Sequence, residues 1–344
     1  MNISLLNQMI CEGYVAVQKH PEHSLYIYNY TPKAQFDRVW NECTLACRGL
    51  IMDKEHNIIA RPFRKFFNLG ELEDQTLPQG EFEVYEKMDG SLGILYWAGD
   101  TPLIATRGSF TSVQAEEANR ILHSDYAHCL DKLDRSKTYL FEIIYPENRI
   151  VVDYGKKREL VLLAIVDTET GREQALEALG FPLAKHYRGL KDLQALKLLE
   201  EENREGFVVK FQNGFRVKVK FEEYQRLHFL MNQVSSITIW EKLKEEQDLS
   251  DILEDVPDEF YNWVKTTRNR LLAAYQAIEQ QAKTDFKVLA SRKETALYFN
   301  TCRYPHVMFK MLEGKSCAVS IWRLLRPEYE KPFASMMKDR GMDE

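Results

Sequence analysis

The chain has 344 residues, 44% of them apolar and 28% charged, with a formal net charge of −6. That apolar content is near the average of folded soluble proteins and excludes disorder as the main state. Sixteen Gly and eleven Pro exclude collagen-like and linker-dominated chains. The N-terminal MNISLLNQMICEGY has no basic segment before its short apolar stretch, so no secretory signal is expected. No apolar run approaches the roughly 18–20 residues of a membrane span, so no membrane partner is expected. The six cysteines, Cys11, Cys43, Cys47, Cys129, Cys302 and Cys317, are too sparse for a disulfide scaffold. They fit reduced thiols in a cytoplasmic protein. Cys43 and Cys47 have no second pair and no nearby His, so a zinc site is not expected.

Residues 81–88, 92–98, 103–107, 138–144, 149–154, 160–166, 206–211 and 215–221 are short runs rich in Val, Ile, Phe and Tyr. Gly, Asp, Asn and Pro lie between them, which predicts strands joined by turns. Thr111 and Gln114 have capping-box spacing before a predicted helix at 113–124. A second helix, 172–179, is expected to stop at Gly180, ahead of Pro182. From residue 223 onward the apolar spacing is helical with few turn signals. The expected fold is α+β, with mainly antiparallel sheets and flanking helices over 1–228 and an all-helical domain over 229–344. Residues 229–262 carry 2 basic and 9 acidic side chains, whereas 263–340 carry 15 basic and 7 acidic. A basic cluster of that kind can hold a polyanion, although from charge alone a solvated helical surface is the simpler account.

Chemistry concentrates in Glu86-Lys87-Met88-Asp89-Gly90-Ser91, a hairpin turn between two predicted strands. A lysine at such a strand end has its amine fixed at a turn. Asp-Gly is by itself a routine hairpin signal. Glu142 lies inside an apolar strand, where a carboxylate needs a solvent face or a polar pocket. Glu205-Gly206 opens another strand. In FRVKVKF, alternation puts Lys218 and Lys220 on one face and Val217, Val219 and Phe221 on the other. Such a pair is either two lysines facing water or two cations facing an anion. Arg48, Lys65 and Arg107 also fall near strand ends. Two carboxylates and several cations around one lysine suit a triphosphate and its metal. Gly314-Lys315-Ser316 has Phe309 where a phosphate-binding Walker loop needs Gly, and no GxGxxG occurs, so any nucleotide site is of the covalent-lysine type.

Lys87-Met88-Asp89-Gly90 resembles motif I (KxDG) of the covalent nucleotidyltransferases, which include DNA ligases, RNA ligases and mRNA capping enzymes. Glu142 with NRIVVDY, Glu205-Gly206 and Lys218-Val219-Lys220 resemble the later motifs of that superfamily, in the same order. Arg48-Gly49, KFFN (65–68), RGS (107–109) and the 141–151 segment are similar to the bacteriophage RNA ligase 1 family of tRNA-repair ligases. The likeness covers residues 45–225, about half the chain. Helical sequence after Lys220 replaces the oligonucleotide-binding barrel of DNA ligases and capping enzymes.

The resemblance implies an ATP-dependent RNA ligase that uses Mg²⁺, with Mn²⁺ as an alternative. Lys87 would be the nucleophile that carries AMP. Lys218, Lys220 and the metal would lower the Lys87 pKa and stabilise charge on the phosphate in flight. Glu142 would lie near the ribose or the metal's waters, and Glu205 in the metal's outer shell. Arg48, Lys65 and Arg107 would contact phosphates, Arg107 standing where the family has lysine. Asp89, Gly90 and Glu86 would border the nucleotide, Glu86 through its backbone. Phe67 would either stack on the base or pack in the core. The implied partners are RNA 5′-phosphate and 3′-hydroxyl ends, such as those of a cleaved tRNA, together with a separate end-healing enzyme. The implied location is the cytoplasm, the host's if the gene is a phage's. The basic region 263–340 is the candidate for RNA recognition. Competing readings are a ligase for other ends including single-stranded DNA, a guanylyltransferase, and a non-catalytic RNA-binding protein with a degenerate nucleotidyltransferase domain.

Overall fold

The computed structural model describes all residues except 72–76, 191, 200, 254–255, 257 and 333–344. The chain forms two compact units, Met1–Gln225 and Arg226–Met337.

In the first unit, α1 (Ile3–Cys11) begins at Asn2, whose side chain accepts from the Leu5 N–H. That bond satisfies one of the donors that a helix start leaves free. Leu6 and Met9 of α1 pack on a four-stranded antiparallel sheet. Its strands run in the order β1 (Val15–Lys19), β2 (Leu25–Tyr30), β3 (Arg48–Asp53) and β4 (Ile58–Ala60). Two short helices, α2 (Pro32–Phe36) and α3 (Glu42–Ala46), connect β2 to β3. A second and a third sheet follow from β5 (Phe67–Asn68), β6 (Phe82–Glu86), β7 (Ser91–Ala98), β8 (Thr101–Ala105), β9 (Lys137–Ile144), β10 (Glu159–Asp167), β11 (His186–Tyr187), β12 (Gly206–Phe211) and β13 (Arg216–Lys220). The second sheet has the order β10-β9-β7-β8 and the third β11-β6-β12-β13-β5. All their ladders are antiparallel except β13 with β5.

A large buried cluster lies under the second sheet. There α4 (Val113–Ser124) places Ala118, Ile121 and Leu122 against Leu95, Ile104, Phe141 and Leu162. Gly206, the first residue of β12, has φ +138°, and a Cβ there would lie 2.0 Å from the Val219 carbonyl oxygen. Only glycine lets β12 and β13 close at this point, which brings Glu205 next to Lys220.

Three local expectations are corrected. The cap of α4 is Ser112, whose hydroxyl accepts from the Ala115 N–H, and not Thr111. Residues 149–154 are not a strand, because the Val151 and Val152 N–H groups donate to the Asp89 carboxylate and not to a ladder. The helix expected at 172–179 does not form. Residues 172–174 instead hydrogen-bond along β10, through Asp167 N–H to Arg172 O and Gln174 N–H to Ile165 O. Glu173 is held there by Arg216 and, at 3.1 Å, by Lys210. Edge pairing plus two ion pairs outweighs the weak helical preference of a short segment.

A short helix, α5 (Leu193–Leu198), precedes β12, and α6 (Glu222–Gln233) spans the division between the units. The second unit is helical in its described residues: α7 (Ser236–Lys244), α8 (Asp258–Asp285), α9 (Arg292–Thr301), α10 (Pro305–Leu312) and α11 (Ala318–Leu324). Ile278, Ala282, Phe299, Val307, Met308 and Ile321 form its core. Tyr275, Tyr298 and Tyr304 pack against that core, and Trp322 is buried. No helix among the described residues is long and apolar enough to cross a membrane.

Candidate active site

A cleft of about 1720 Å³ in the first unit is lined by residues from all three sheets. Lys87 follows the last residue of β6, and its backbone N–H donates to the Gly206 carbonyl of β12. The backbone at Lys87 is thereby tied to the start of β12, next to Glu205. The Lys87 Nζ lies 2.5 Å from Glu205 Oε2, and the Lys220 Nζ lies 3.1 Å from Glu205 Oε1. The Glu205 side chain is only 3% exposed. Two cations thus share one buried carboxylate, which they hold below the usual carboxylate range even though burial pushes it up.

The turn after Lys87 is built around Asp89. Its carboxylate accepts from the Val151 and Val152 N–H groups at 2.8 and 2.9 Å and from the Tyr224 hydroxyl at 2.8 Å. Asp89 is 2% exposed. The Asp89 carboxylate thus pins the turn to residues 151–152 and to α6, and Asp89 is not among the residues that line the cleft. The Asp89 N–H donates to the Tyr154 hydroxyl, and the Gly90 N–H donates to Glu142 Oε1 at 2.9 Å. A Cβ at Gly90 would meet the Ile143 carbonyl oxygen at 2.6 Å, so glycine is what lets the turn approach β9. Sequence reasoning missed Tyr154 and Tyr224, because nothing local marks a tyrosine as the partner of a residue 65 or 135 positions away.

Glu142, on β9, lines the cleft, and burial together with Glu205 and Asp89 raises its carboxyl to about 7 against the pull of Lys87 and the Gly90 N–H. Lys218, on β13, also lines the cleft. Burial and the neighbouring Arg48, Lys87, Lys65 and Lys220 push its amine down to about 6. Burial and Arg107 lower the Arg48 guanidinium, and Arg48 Nη1 is buried with no hydrogen-bond partner. Arg48 and Lys218 both lie over the Phe66 ring, at 5.5 and 4.9 Å. Arg107 lines the cleft and donates to the Tyr30 hydroxyl at 3.3 Å.

Other expected residues sit differently. Lys65 lies over the rings of Phe67, Trp40 and Tyr30, outside the cleft lining. Phe67 is paired through β5 with Val217 and packs edge-on against Trp40. Phe67 is half-buried and does not line the cleft, whereas its neighbour Phe66 does. Glu86 lines the cleft, with Oε1 at 4.0 Å from Arg204 Nη1.

The expectation that cations hold the Lys87 amine below its ordinary pKa is overturned for the free protein. Burial does pull it down, but Glu205, Glu142 and Asp89 outweigh burial and hold it raised. The depressed lysine is Lys218. Among the described residues no carboxylate pairs with it, whereas Glu205 stands between Lys87 and Lys220.

Among the described residues no three His, Cys, Asp or Glu side chains are grouped to chelate a metal. Glu142 and Glu205 are two carboxylates, one already bridged by lysines. That donor set fits a hard cation that keeps most of its waters and takes its other oxygens from phosphates, as Mg²⁺ does. The anion-binding side is better defined. An amine near neutrality and an unpartnered guanidinium nitrogen face one cavity. Binding of pyrophosphate favours the ammonium form of Lys218, so complex formation at about pH 7.5 is expected to take up protons. Calorimetry in buffers of differing ionisation heat reads this directly, and proton release would contradict it.

The family model described as RNA ligase matches residues 46–225, which contain every cleft residue from Arg48 to Lys218. A "Putative RNA ligase" of Thermovibrio ammonificans is 31% identical over 214 residues, 55% of this chain and 54% of the relative. A "Putative bifunctional polynucleotide kinase/RNA ligase" of Autographa californica nuclear polyhedrosis virus is 28% identical over 64% of this chain and 36% of the relative. An RNA ligase of Rhodothermus phage RM378 is 29% identical over 43% of this chain and 42% of the relative. The matches thus span about half the length, or less, of these curated relatives. With the family match reaching across more than half of the chain and enclosing the whole lysine–carboxylate constellation, the chain belongs to the RNA ligase family.

Proposed function

We propose that the protein seals RNA 5′-phosphate and 3′-hydroxyl ends using ATP, with Lys87 as the temporary carrier of AMP. The observation that carries this reading is the Lys87–Glu205–Lys220 arrangement beside Lys218 and Arg48 in one cleft. A nucleophilic amine, a carboxylate that controls its proton and a surplus of cations are what phosphoryl transfer to lysine requires.

In the first step the deprotonated Lys87 Nζ forms a bond to the α-phosphorus of ATP. The bond from that phosphorus to the bridging oxygen breaks, and pyrophosphate leaves with the electron pair. Lys87 begins as an ammonium hydrogen-bonded to Glu205 Oε2, the acceptor within reach of its proton. Arg48, Lys218 and Arg107 neutralise phosphate oxygens, Arg48 through its free Nη1. Glu142 and Glu205 are the residues that would hold a divalent cation, which would supply further positive charge at the phosphates. In the second step an oxygen of the RNA 5′-phosphate attacks the same phosphorus, the P–N bond breaks and Lys87 departs as the amine. In the third, an RNA 3′-oxygen attacks the 5′-phosphate phosphorus and AMP leaves. The basic segment 263–340 is read as the part that recognises RNA shape, although its residues 333–340 lie outside the described ones. A cytoplasmic location and a separate enzyme that prepares the ends belong to the same reading.

The experiment is a sealing assay with matched RNA and DNA strands bearing 5′-phosphate and 3′-hydroxyl ends, each with ATP or GTP. Joining of RNA with ATP is expected, with GTP inactive. Joining of DNA but not RNA would overturn the substrate assignment, and activity with GTP alone would overturn the nucleotide.

A further inference from the structure

The cleft lining is not confined to the residues around Lys87. It also takes in Asn29 and Tyr30 of β2, residues 106–109 and 111–112, and Pro32, Gln35 and Phe36 of α2, an arm of the cleft on the far side of Arg48 in the lining. This arm differs in chemistry from the part around Lys87. Its lining includes the hydroxyls of Ser109 and Thr111, the Asn29 amide and, at the end of α2, the Phe36 ring, with Arg107 as its one cation among the described lining residues on that side. Phe36 is 89% exposed, the highest value among the exposed large apolar side chains described.

Two buried polar atoms mark the join between the two parts. Asn29 Oδ1 and Arg48 Nη1 both lack a hydrogen-bond partner. Their residues lie directly opposite each other in the β2–β3 ladder, and both line the cleft. Leaving such atoms unsatisfied is costly, so each points to a ligand group. The guanidinium nitrogen needs an acceptor, which a phosphate is. The amide oxygen needs a donor. A phosphate diester has none, whereas a ribose hydroxyl does. One cleft then offers a phosphate site at Arg48, a hydroxyl site at Asn29 and an exposed aromatic ring at Phe36.

We propose that this arm binds the hydroxyl-terminated RNA strand, the one that attacks in the sealing step. Asn29 accepts from a ribose hydroxyl at its end, and Phe36 is a platform on which one of its bases stacks. Single-stranded RNA is commonly held by such aromatic platforms. A phosphate-ended strand fits the arm poorly, since the cations that would hold its terminus are grouped around Lys87. The proposal rests on the ligase reading and adds to it where the second substrate lies.

The test isolates the last step by supplying a pre-adenylated donor RNA and varying the concentration of a single-stranded acceptor with a free 3′-hydroxyl. Phe36→Ala is expected to raise the KM for acceptor roughly 5- to 100-fold, the range found when stacking aromatics are truncated. The kcat should change little, and Phe36→Trp should restore the KM. Labelling of Lys87 by ATP in each variant reports folding and the first step separately. Normal labelling with an unchanged acceptor KM in Phe36→Ala overturns the arm's assignment and leaves the ligase reading intact. A higher KM for the donor alone, with the acceptor unaffected, overturns it in favour of the other strand. Absence of Lys87 labelling in the wild type overturns the ligase reading and this inference with it.

Discussion

Lys87→Ala is expected to abolish covalent labelling by ATP and to remove joining of ordinary 5′-phosphate RNA. No other lysine among the described residues stands in the same setting. Lys220 shares Glu205 but does not line the cleft, and Lys218 lines the cleft but pairs with no carboxylate among the described residues. The size of the effect follows from the loss of the nucleophile itself, which leaves no covalent route. Sealing of a pre-adenylated donor should survive in this variant to a measurable extent, because the last step does not use the lysine as a carrier. A Lys87→Ala protein that still acquired label would move the nucleophile elsewhere.

The second large effect is expected at Glu205. Glu205→Ala removes a buried carboxylate from between Lys87 and Lys220. Two consequences follow, and they can be separated. Breaking a buried pair by deleting one partner costs about 3–5 kcal/mol, since the remaining cations stay desolvated without compensation. Loss of charge control at the phosphates should also slow the first step by about 10²-fold or more. Glu205→Gln keeps the shape and one acceptor oxygen, so its melting temperature should lie nearer the wild type while labelling stays slow. Slow labelling in both variants with near-native melting of the glutamine form supports a role in chemistry. Normal labelling in the glutamine form would reduce Glu205 to a structural residue.

Much of the catalytic sheet was legible because its strands carry the alternation that a half-buried strand imposes. In β13, Val217 and Val219 are buried and Lys218 and Lys220 only half-buried, as the spacing of FRVKVKF implies. The strands before and after Lys87 are legible from their Val, Ile, Phe and Tyr content and the Asp-Gly turn between them, since β7 is buried in a continuous run and does not alternate. The first sheet was not. Strand β1 buries only Val15 of its five residues, so its sequence has no strong pattern, yet this sheet supplies Asn29, Tyr30 and Arg48 to the cleft. Residues 172–179 read as helix because local preference was all the sequence offered there. The partners that override it, β10 and Arg216, are distant in sequence. Phe66 and Phe67 are adjacent and chemically identical, and only the pairing of Phe67 with Val217 decides which one turns to the cleft. The charge of Lys87 was misjudged for a related reason. Glu205 lies 118 residues away, and no spacing rule reveals that its carboxylate sits between the two lysines.

In the free protein Glu205 helps to hold Lys87 in its charged form, whereas burial and the neighbouring cations push the Lys218 amine down to about 6.

The most direct measurement is mass analysis of the wild-type protein after incubation with ATP and Mg²⁺, followed by peptide mapping of the modified residue. One AMP per chain, attached to Lys87 and removed on addition of pyrophosphate, is the predicted result. An unmodified chain, or AMP mapped to a different residue, would contradict the account.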